Sequence, residues 1–461
     1  MVELIRKKCT GKSILILGFG REGQSSYAFL RKLFPGMLLT IADKNPAIRE
    51  NPLVSGDPMV FFKTGEEYLN GLNDFDLVFR SPGITLWNLA PPVHRERITS
   101  QTDLFLQAYG KQVIGVTGTK GKSTTASLIC HILKEAGEDA LLAGNIGNPA
   151  FHFSELINPS TRIVYELSSH QLEYIDASPR IAILLNFFQE HLDAYASYES
   201  YRKAKWNISR FQGADDYFIY NGDDPLVKLH LAESPGRGIQ IPFSQATRFK
   251  EGAYIQDGWI FFGGKGNEER VWKIHQDRFL RGDHNLKNIL AAVDATMILK
   301  IAPEFVAEGI ATFKGLEHRL EYVGEYGQIH FYNDSIATIP EACIEAVKAI
   351  PGVDTLIVGG FDRGIDYTEL AVFISRSPVR NLILVGAAGR RVGEAIEGKV
   401  SGEQRIFFIN RFDDFREIAF RETKPGHVCL LSPAAASYDE FNNFEERGKR
   451  FRELIKMTSD E

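Results

Sequence analysis

Cysteine is scarce. The 461 residues hold four, Cys9, Cys130, Cys343 and Cys429, far apart and without metal-ligand spacing. That excludes a disulfide framework and a clustered-thiolate metal site, and the pattern reads as free thiols in a reducing compartment. Long apolar runs are missing too: none is long enough to span a bilayer, and the stretch from Met1 to Lys8 lacks the apolar core of a secretory leader. Positive charge is not in excess. The 53 Lys and Arg against 59 Asp and Glu leave a net charge of −6, which argues against sequence-independent binding of nucleic acid. Low-complexity tracts and short-period repeats are absent. What remains is ordinary globular composition, 44% hydrophobic and 24% charged, in a chain too long for one core. About three domains are expected, in a cytoplasmic protein with no membrane insertion.

One stretch organises the rest. The apolar run Val113-Ile114-Gly115-Val116 leads into Gly118-Thr119-Lys120-Gly121-Lys122-Ser123-Thr124, and residues 125–133 read as a helix. A strand, a glycine turn and a helix start are the context of a phosphate-binding loop, whose backbone N–H groups cradle phosphate oxygens. Lys122 would reach the β- and γ-phosphates and the Ser123 hydroxyl would ligate Mg²⁺. Counting back from Gly121, Val116 stands where such loops usually have their first glycine. A glycine-rich surface turn is the competing reading.

Earlier in the chain, the strand-like residues 13–17 precede Gly18-Phe19-Gly20-Arg21-Glu22-Gly23, and a second strand at 37–42 ends at Asp43. This GxGxxG turn with an acidic residue about 20 positions on is the dinucleotide fingerprint. The simple reading is NAD with Asp43 on a ribose, but any nucleotide diphosphate suits the same turn. A further strand at 77–79 runs into Arg80-Ser81-Pro82-Gly83, a glycine turn at the expected carboxyl edge of a parallel sheet.

After the phosphate loop, Gly144-Asn145-Ile146-Gly147 is a turn. Strand 162–167 carries Glu166 at its end, and strand 180–186 precedes Glu190-His191. A carboxylate and a histidine just past strand ends beside the loop suit a Mg²⁺–phosphate centre; His191 alone could equally be a capping or core residue. Residues 217–280 alternate short strands with Gly and Asp turns and read as an antiparallel insertion. Asn285 and Asn288, one turn apart at a helix start, either read an adenine edge or cap the helix. From residue 313 the α/β pattern restarts, with polar groups again at strand ends. The expected fold class is α/β in three domains: Rossmann-like (1–110), a central phosphate-loop domain (111–315) and a second Rossmann-like domain (316–461).

Taken together, Gly118-Thr119-Lys120-Gly121-Lys122-Ser123-Thr124, Gly144-Asn145-Ile146-Gly147, Glu166-Leu167-Ser168-Ser169, His191-Leu192-Asp193, His318-Arg319, Asn333-Asp334-Ser335 and Leu431-Ser432-Pro433-Ala434 resemble the Mur ligases of peptidoglycan synthesis. Ser81-Pro82-Gly83-Ile84, the segment from Glu166 to Glu173 and Asn443-Phe444-Glu445-Glu446-Arg447-Gly448 resemble the glutamate-adding members. The likeness covers essentially the whole chain. It implies that the first domain binds the UDP of a sugar nucleotide rather than NAD, through Gly20, Arg21, Glu22, Asp43, Ser81 and Gly83. It implies ATP at Gly118 to Thr124, with Asn285, Asn288, His318, Arg319 and Asp334 framing the nucleotide. The implied reaction ligates glutamate to UDP-N-acetylmuramoyl-L-alanine through an acyl phosphate, with two Mg²⁺ ions and a monomeric enzyme. Lys122, Glu166, His191, Lys205 and Asn145 are the implied catalytic set. Ser123 and Glu166 would hold one Mg²⁺, and His191 with a carbamylated Lys205 the second; Lys203 is the nearest alternative for that lysine. Thr338, Arg363, Ser437 and Phe444 would hold glutamate.

Two positions depart from the glutamate-adding pattern. Ile336 stands where those members usually have lysine, and Arg363 where lysine is frequent. D-glutamate is the favoured substrate, with the L-glutamate-adding subgroup left open. A folylpolyglutamate synthase-like ligase is disfavoured by the complete first domain. A non-catalytic nucleotide-binding paralogue is disfavoured by the intact Lys122, Ser123, Glu166, His191 and Lys205, although Ile336 speaks for it.

Overall fold

Short apolar strands, most of them followed by a polar turn and a returning helix, build two parallel sheets and a third that is parallel but for one edge strand. The architecture comes from a computed structural model that describes residues 1–144, 149–188, 195–264, 267–275, 279–280, 282–398 and 404–457. Two compact units form, one from Met1–His275 with Asp283–Ala311, the other mainly from Thr312–Glu461. All four cysteines are buried. Among the described residues no helix is long and apolar enough to cross a membrane.

In the first unit, β1 (Ile14–Leu17), β2 (Leu39–Asp43), β3 (Val60–Thr64), β4 (Leu77–Arg80) and β5 (Ile98–Thr99) make a parallel sheet in the order β3-β2-β1-β4-β5. β1 is buried on both faces. The chain leaves β1 towards β2 on one side and later adds β4 on the other. The loops after β1 and β4 therefore flank a crevice at the carboxyl edge, where such sheets bind ligands. The helix Arg21–Leu33 starts inside the glycine turn and carries Glu22 in its first turn.

The same unit holds β6 (Val113–Thr117), β7 (Ala140–Gly144), β8 (Arg162–Glu166), β9 (Ile181–Leu184), β10 (Tyr217–Asn221) and β11 (Ile239–Phe243), parallel in the order β11-β10-β9-β6-β8-β7. β6 is buried throughout and lies between β8 and β9. Each fully buried Val or Ile in it contributes roughly 1.5–3 kcal/mol of burial. The phosphate-loop helix Lys122–Glu135 follows β6 at this second reversal of strand order.

The expected antiparallel insertion over 217–280 is corrected. Residues 217–221 and 239–243 are β10 and β11 of the parallel sheet. The reason is the helix Pro225–Glu233 between them, with Pro at its start and Asp224 as cap, accepting from Leu226 N at 2.9 Å. A parallel pair needs such a crossover, and its capping Asp reads like a hairpin turn. Among the described residues of that segment, β12 (Gly252–Gln256), β13 (Trp259–Gly264) and β14 (Asn267–Lys273) are the antiparallel strands. Asp257 and Gly258, at φ 50° and 75°, supply the first hairpin turn.

The second unit is built on β15 (Glu321–Tyr326), β16 (Ile329–Asn333), β17 (Val353–Gly359), β18 (Asn381–Val385), β19 (Arg405–Ile409) and β20 (Val428–Leu431), in the order β15-β16-β20-β17-β18-β19. β15 pairs antiparallel with β16 and the rest are parallel. Because β20 lies between β16 and β17, the loops at 334–338, 432–437 and 360–364 lie side by side at one carboxyl edge.

Candidate active site

The phosphate loop is held by backbone and side-chain groups from the neighbouring strand end. Asn186, just past β9, accepts through Oδ1 from Thr119 N (3.1 Å) and Lys120 N (2.9 Å), and its Nδ2 donates to Lys120 O (3.0 Å). Thr119 Oγ1 lies 2.8 Å from Tyr201 Oη. Gly121 adopts φ +86°, and a Cβ there would lie 2.3 Å from Asn288 Oδ1. Asn288 is thus packed onto the loop, with its Nδ2 donating to Asn285 Oδ1 at 2.9 Å.

Lys122 Nζ donates to the carbonyls of Gly118 (3.1 Å) and Thr119 (2.9 Å). Ser123 and Thr124 follow in the first turn of the helix. Glu166, at the end of β8 in register with Val116, is fully buried. Lys205 is 2% exposed, its Nζ donating to Gly118 O at 2.8 Å and lying 4.8 Å from the Tyr201 ring centroid, whereas Lys203 is exposed. Lys205 therefore reaches the loop and Lys203 does not. Asn145 and His191 lie outside the described residues.

Beside this centre is a cavity of about 390 Å³. Gly20, Arg21, Glu22, Asp43, Ser81 and Gly83 all line it, together with Gly144 at the end of β7, Ser168 just past β8 and Gln171 on the short helix Ser169–Leu172 that follows. Asp43 is held by Phe19 N on Oδ2 (2.6 Å) and Asn45 N on Oδ1 (2.8 Å). Ser81 Oγ donates to Gly18 O at 2.9 Å. Gly23 is obligatory, since a Cβ there would fall 2.0 Å from Gly18 O. Arg80, buried at the end of β4, ties this sheet to the next: Nη2 pairs with Glu173 Oε2 (2.8 Å) and Nη1 donates to His170 O (3.0 Å).

At the carboxyl edge of the second unit, Asp334 is buried, accepting from Ser432 Oγ on Oδ2 (2.9 Å) and from Leu320 N on Oδ1 (3.1 Å). Burial pushes its carboxyl up to about 7. His318 accepts from Asn333 Nδ2 at 2.9 Å on Nδ1, burial lowers its pKa, and its ring meets Phe444 edge-on at 6.3 Å. Arg319 sits next to it, close enough to lower the Asp334 carboxyl slightly against the burial effect. Arg363 Nη2 donates to Thr338 O at 2.7 Å. Ser437 is buried on the loop after β20.

The family model described as the Mur ligase middle domain matches residues 116–296. The UDP-N-acetylmuramoylalanine–D-glutamate ligase of Geobacillus kaustophilus is 36% identical over 447 residues, covering 95% of this chain and 96% of that one. The ligase of the same name from Acetivibrio thermocellus is 34% identical, covering 98% and 97%. The chain belongs to the UDP-N-acetylmuramoylalanine–D-glutamate ligase family. Among solved structures, the MurF ligase of Thermotoga maritima in complex with ADP matches with TM-score 0.55 at 16% identity, over 96% of this chain and 93% of that one. The UDP-N-acetylmuramate–alanine ligase of the same organism matches with TM-score 0.56 at 19% identity, over 96% and 98%. At that identity the likeness is one of fold, and it is the multi-domain α/β fold expected from the sequence.

Several residues that order this ligase's site escaped the sequence reading. Asn186 and Tyr201 hold the phosphate loop, and Gln171 reaches across to Glu22. Arg447 is the largest omission. It is 2% exposed on the helix Phe444–Lys456 and donates to Ser335 Oγ and O and to the carbonyls of Ala435 and Ala436. Its spacing from Phe451, Leu454 and Ile455 put it on the helix's apolar face, a signal available in the sequence.

Proposed function

We propose that this family member joins D-glutamate to the alanyl carboxylate of UDP-N-acetylmuramoyl-L-alanine, with ATP as the activating substrate. One observation carries the reading: the cavity lined by the glycine turn and the Ser81–Gly83 loop continues to Gly144 and Ser168, at strand ends beside the phosphate loop. A nucleotide diphosphate held on the turn can thus extend a peptide carboxylate towards the γ-phosphate of ATP.

The carboxylate oxygen attacks the γ-phosphorus and ADP leaves. The glutamate amine then attacks the acyl carbon, and inorganic phosphate leaves as the amide forms and a proton is released. Catalysis is mainly positioning and charge neutralisation. Lys122 exchanges the Gly118 and Thr119 carbonyls for the oxygens of the transferring phosphoryl group. The loop amides, ordered by Asn186, hold the other phosphates, while Asn288, packed on Gly121, and its partner Asn285 frame the nucleotide. Arg363, with Thr338, Ser437 and Phe444, receives the amino acid.

The Ser123 hydroxyl and Glu166 carboxylate are oxygen donors, the set that Mg²⁺ prefers. Bound Mg²⁺ neutralises charge on the phosphates. Ser123 and Glu166 would hold one ion, and His191 and Lys205 the second. As an ammonium, Lys205 donates to Gly118 O and cannot ligate. It fits only after CO₂ adds to its Nζ and a proton is lost, leaving a carbamate. The reading includes a monomeric enzyme in the cytoplasm, a reducing compartment in which free thiols belong.

The test is to incubate the protein with UDP-N-acetylmuramoyl-L-alanine, ATP and Mg²⁺, with D- and L-glutamate in parallel, following phosphate release and product mass. D-glutamate is expected to turn over. Turnover with L-glutamate alone would reverse the stereochemical assignment, and none with either would favour the non-catalytic reading.

A further inference from the structure

Glu22 is an unexpected group to find inside a diphosphate-binding turn. It occupies the first turn of the helix Arg21–Leu33 and lines the cavity beside Gly18, Arg21, Asp43 and Ser81. In the free protein an acidic side chain there complements the helix dipole. A diphosphate on the same helix end brings further negative charge against an ionised carboxylate.

In the surroundings of Glu22 burial favours the neutral form, against the Gln171 hydrogen bond and the Arg80 charge, which favour the ionised one. Its Oε1 accepts from Gln171 Nε2 at 2.7 Å. The Gln171 amide is fixed in that orientation, because its Oε1 accepts from Ser168 N (3.0 Å) and Ser168 Oγ (3.1 Å). Glu22 Oε2 is shut off from solvent and has no hydrogen-bond partner. Arg80 is the cation facing it from the end of β4, but its donors are directed elsewhere: Nε to Ile84 O (2.7 Å), Nη1 to His170 O and Nη2 to Glu173. From β8 it faces the Tyr165 hydroxyl, which lies 3.1 Å from Thr102 Oγ1. Arg21 and Asp43 are the remaining charged groups on the cavity wall. Burial pushes the Glu22 carboxyl up to about 7.

We propose that Glu22 takes up one proton when the sugar nucleotide binds, so that the diphosphate arriving at this helix start meets a neutral carboxyl instead of a second anion. The proposal rests on the first cavity being the sugar-nucleotide site. Its sign follows from linkage. Below about pH 7 the carboxyl is neutral in both states and affinity is flat. Above that, binding must draw a proton from solvent, and Kd rises by up to about tenfold per pH unit.

The test is calorimetric titration of the full chain with UDP-N-acetylmuramoyl-L-alanine, without ATP, from about pH 6 to about pH 8.5 in buffers of different ionisation heat. Proton uptake approaching one per site above about pH 7 is expected, and Glu22→Gln should abolish both the uptake and the slope of Kd. A Glu22→Gln protein with the wild-type slope would overturn the proposal, as would wild-type binding without uptake. A second comparison needs no variant: UDP should bind with uptake and uridine, which lacks the diphosphate, without it; equal uptake by both overturns the proposal. Failure of the wild-type protein to bind any of the three uridine compounds at any pH removes the sugar-nucleotide reading itself.

Discussion

Two regions of this chain set cations on backbone carbonyls to different ends. On the phosphate loop, Lys122 lies on the carbonyls of Gly118 and Thr119 and Lys205 on that of Gly118. At the edge of the second unit, Arg447 is buried on the carbonyls of Ser335, Ala435 and Ala436. Lys122 is half-buried at a helix start, and a phosphate arriving at the loop can take over its donors. Arg447 is 2% exposed, and its planar fork joins the loop after β16 to the loop after β20. Burial lowers its pKa only to about 10, so it stays charged at neutral pH. On the proposed function the first arrangement holds charge in readiness for a ligand, whereas the second uses charge to fix loop geometry. Placement of a cation on carbonyls therefore says little about role, and burial alone does not decide it, since Lys205 is as buried as Arg447.

The largest expected effect tests the first half of that contrast. Lys122→Met should lower kcat by roughly 10²–10³-fold or more, the scale of losing one charged transition-state donor. Its thermal midpoint should stay within about 2 °C of wild type, since the loop keeps its Asn186 contacts. Lys205→Ala should also cut turnover severely if its carbamate serves the metal; full activity in phosphate release removes the carbamate claim. A large stability loss in Lys122→Met would erase the distinction from Arg447.

Arg447→Met tests the other half. It strands several buried carbonyls at once, at about 1–3 kcal/mol each, while removing the cost of burying a charge. A net loss of about 2–4 kcal/mol in urea unfolding is expected. Arg447→Lys should lie between the two, because an ammonium keeps the charge and loses the fork. An unchanged unfolding midpoint in Arg447→Met would show that the guanidinium does not brace the loops.

A smaller effect concerns Asp334. Its carboxyl is pushed up to about 7 by burial, so the folded state prefers it neutral while the unfolded chain ionises it near its ordinary value. The stabilising contribution of the protonated form is fully present below the unfolded pKa and is lost as pH rises to about 7. Stability of wild type relative to Asp334→Asn should fall over that window, with a slope of up to about 1.4 kcal/mol per pH unit. His318, whose pKa burial lowers, works in the opposite direction in both proteins and cancels in the difference. A slope of zero would mean that Asp334 stays ionised and that the edge tolerates a buried negative charge.

The phosphate loop was legible because its demands are local: glycine where φ is positive and Asn288 approaches, lysine and serine at a helix start. The first cavity was legible for the same reason, since the glycine turn and the Ser81–Gly83 loop each follow a short apolar strand. Arg447 and Gln171 were not read as partners because theirs are 112 and 149 residues away, Ser335 and Glu22. Only the packed sheets bring them together. The parallel pair β10 and β11 was misread because a helix-capping Asp and a hairpin Asp look alike until the Pro225–Glu233 crossover is recognised as a helix.

The smallest effect sharpens the comparison from the ligand's side. Arg363 shares the edge that Arg447 braces, but its guanidinium reaches only the Thr338 carbonyl in the contacts described, through Nη2 at 2.7 Å. It is exposed, as the proposed carboxylate-binding role requires. A guanidinium can grip a carboxylate through two parallel N–H donors and an ammonium cannot. Arg363→Lys should therefore raise KM for glutamate by about 5–10-fold, the scale of one net hydrogen bond of about 1 kcal/mol, because the ammonium keeps the charge and loses the second donor. The kcat, the KM for ATP and the unfolding midpoint should hardly move. Steady-state kinetics with each substrate varied in turn reads this directly. A rise in the KM for ATP of equal size would assign Arg363 to the nucleotide, and a loss of stability without a KM change would make it a second brace like Arg447.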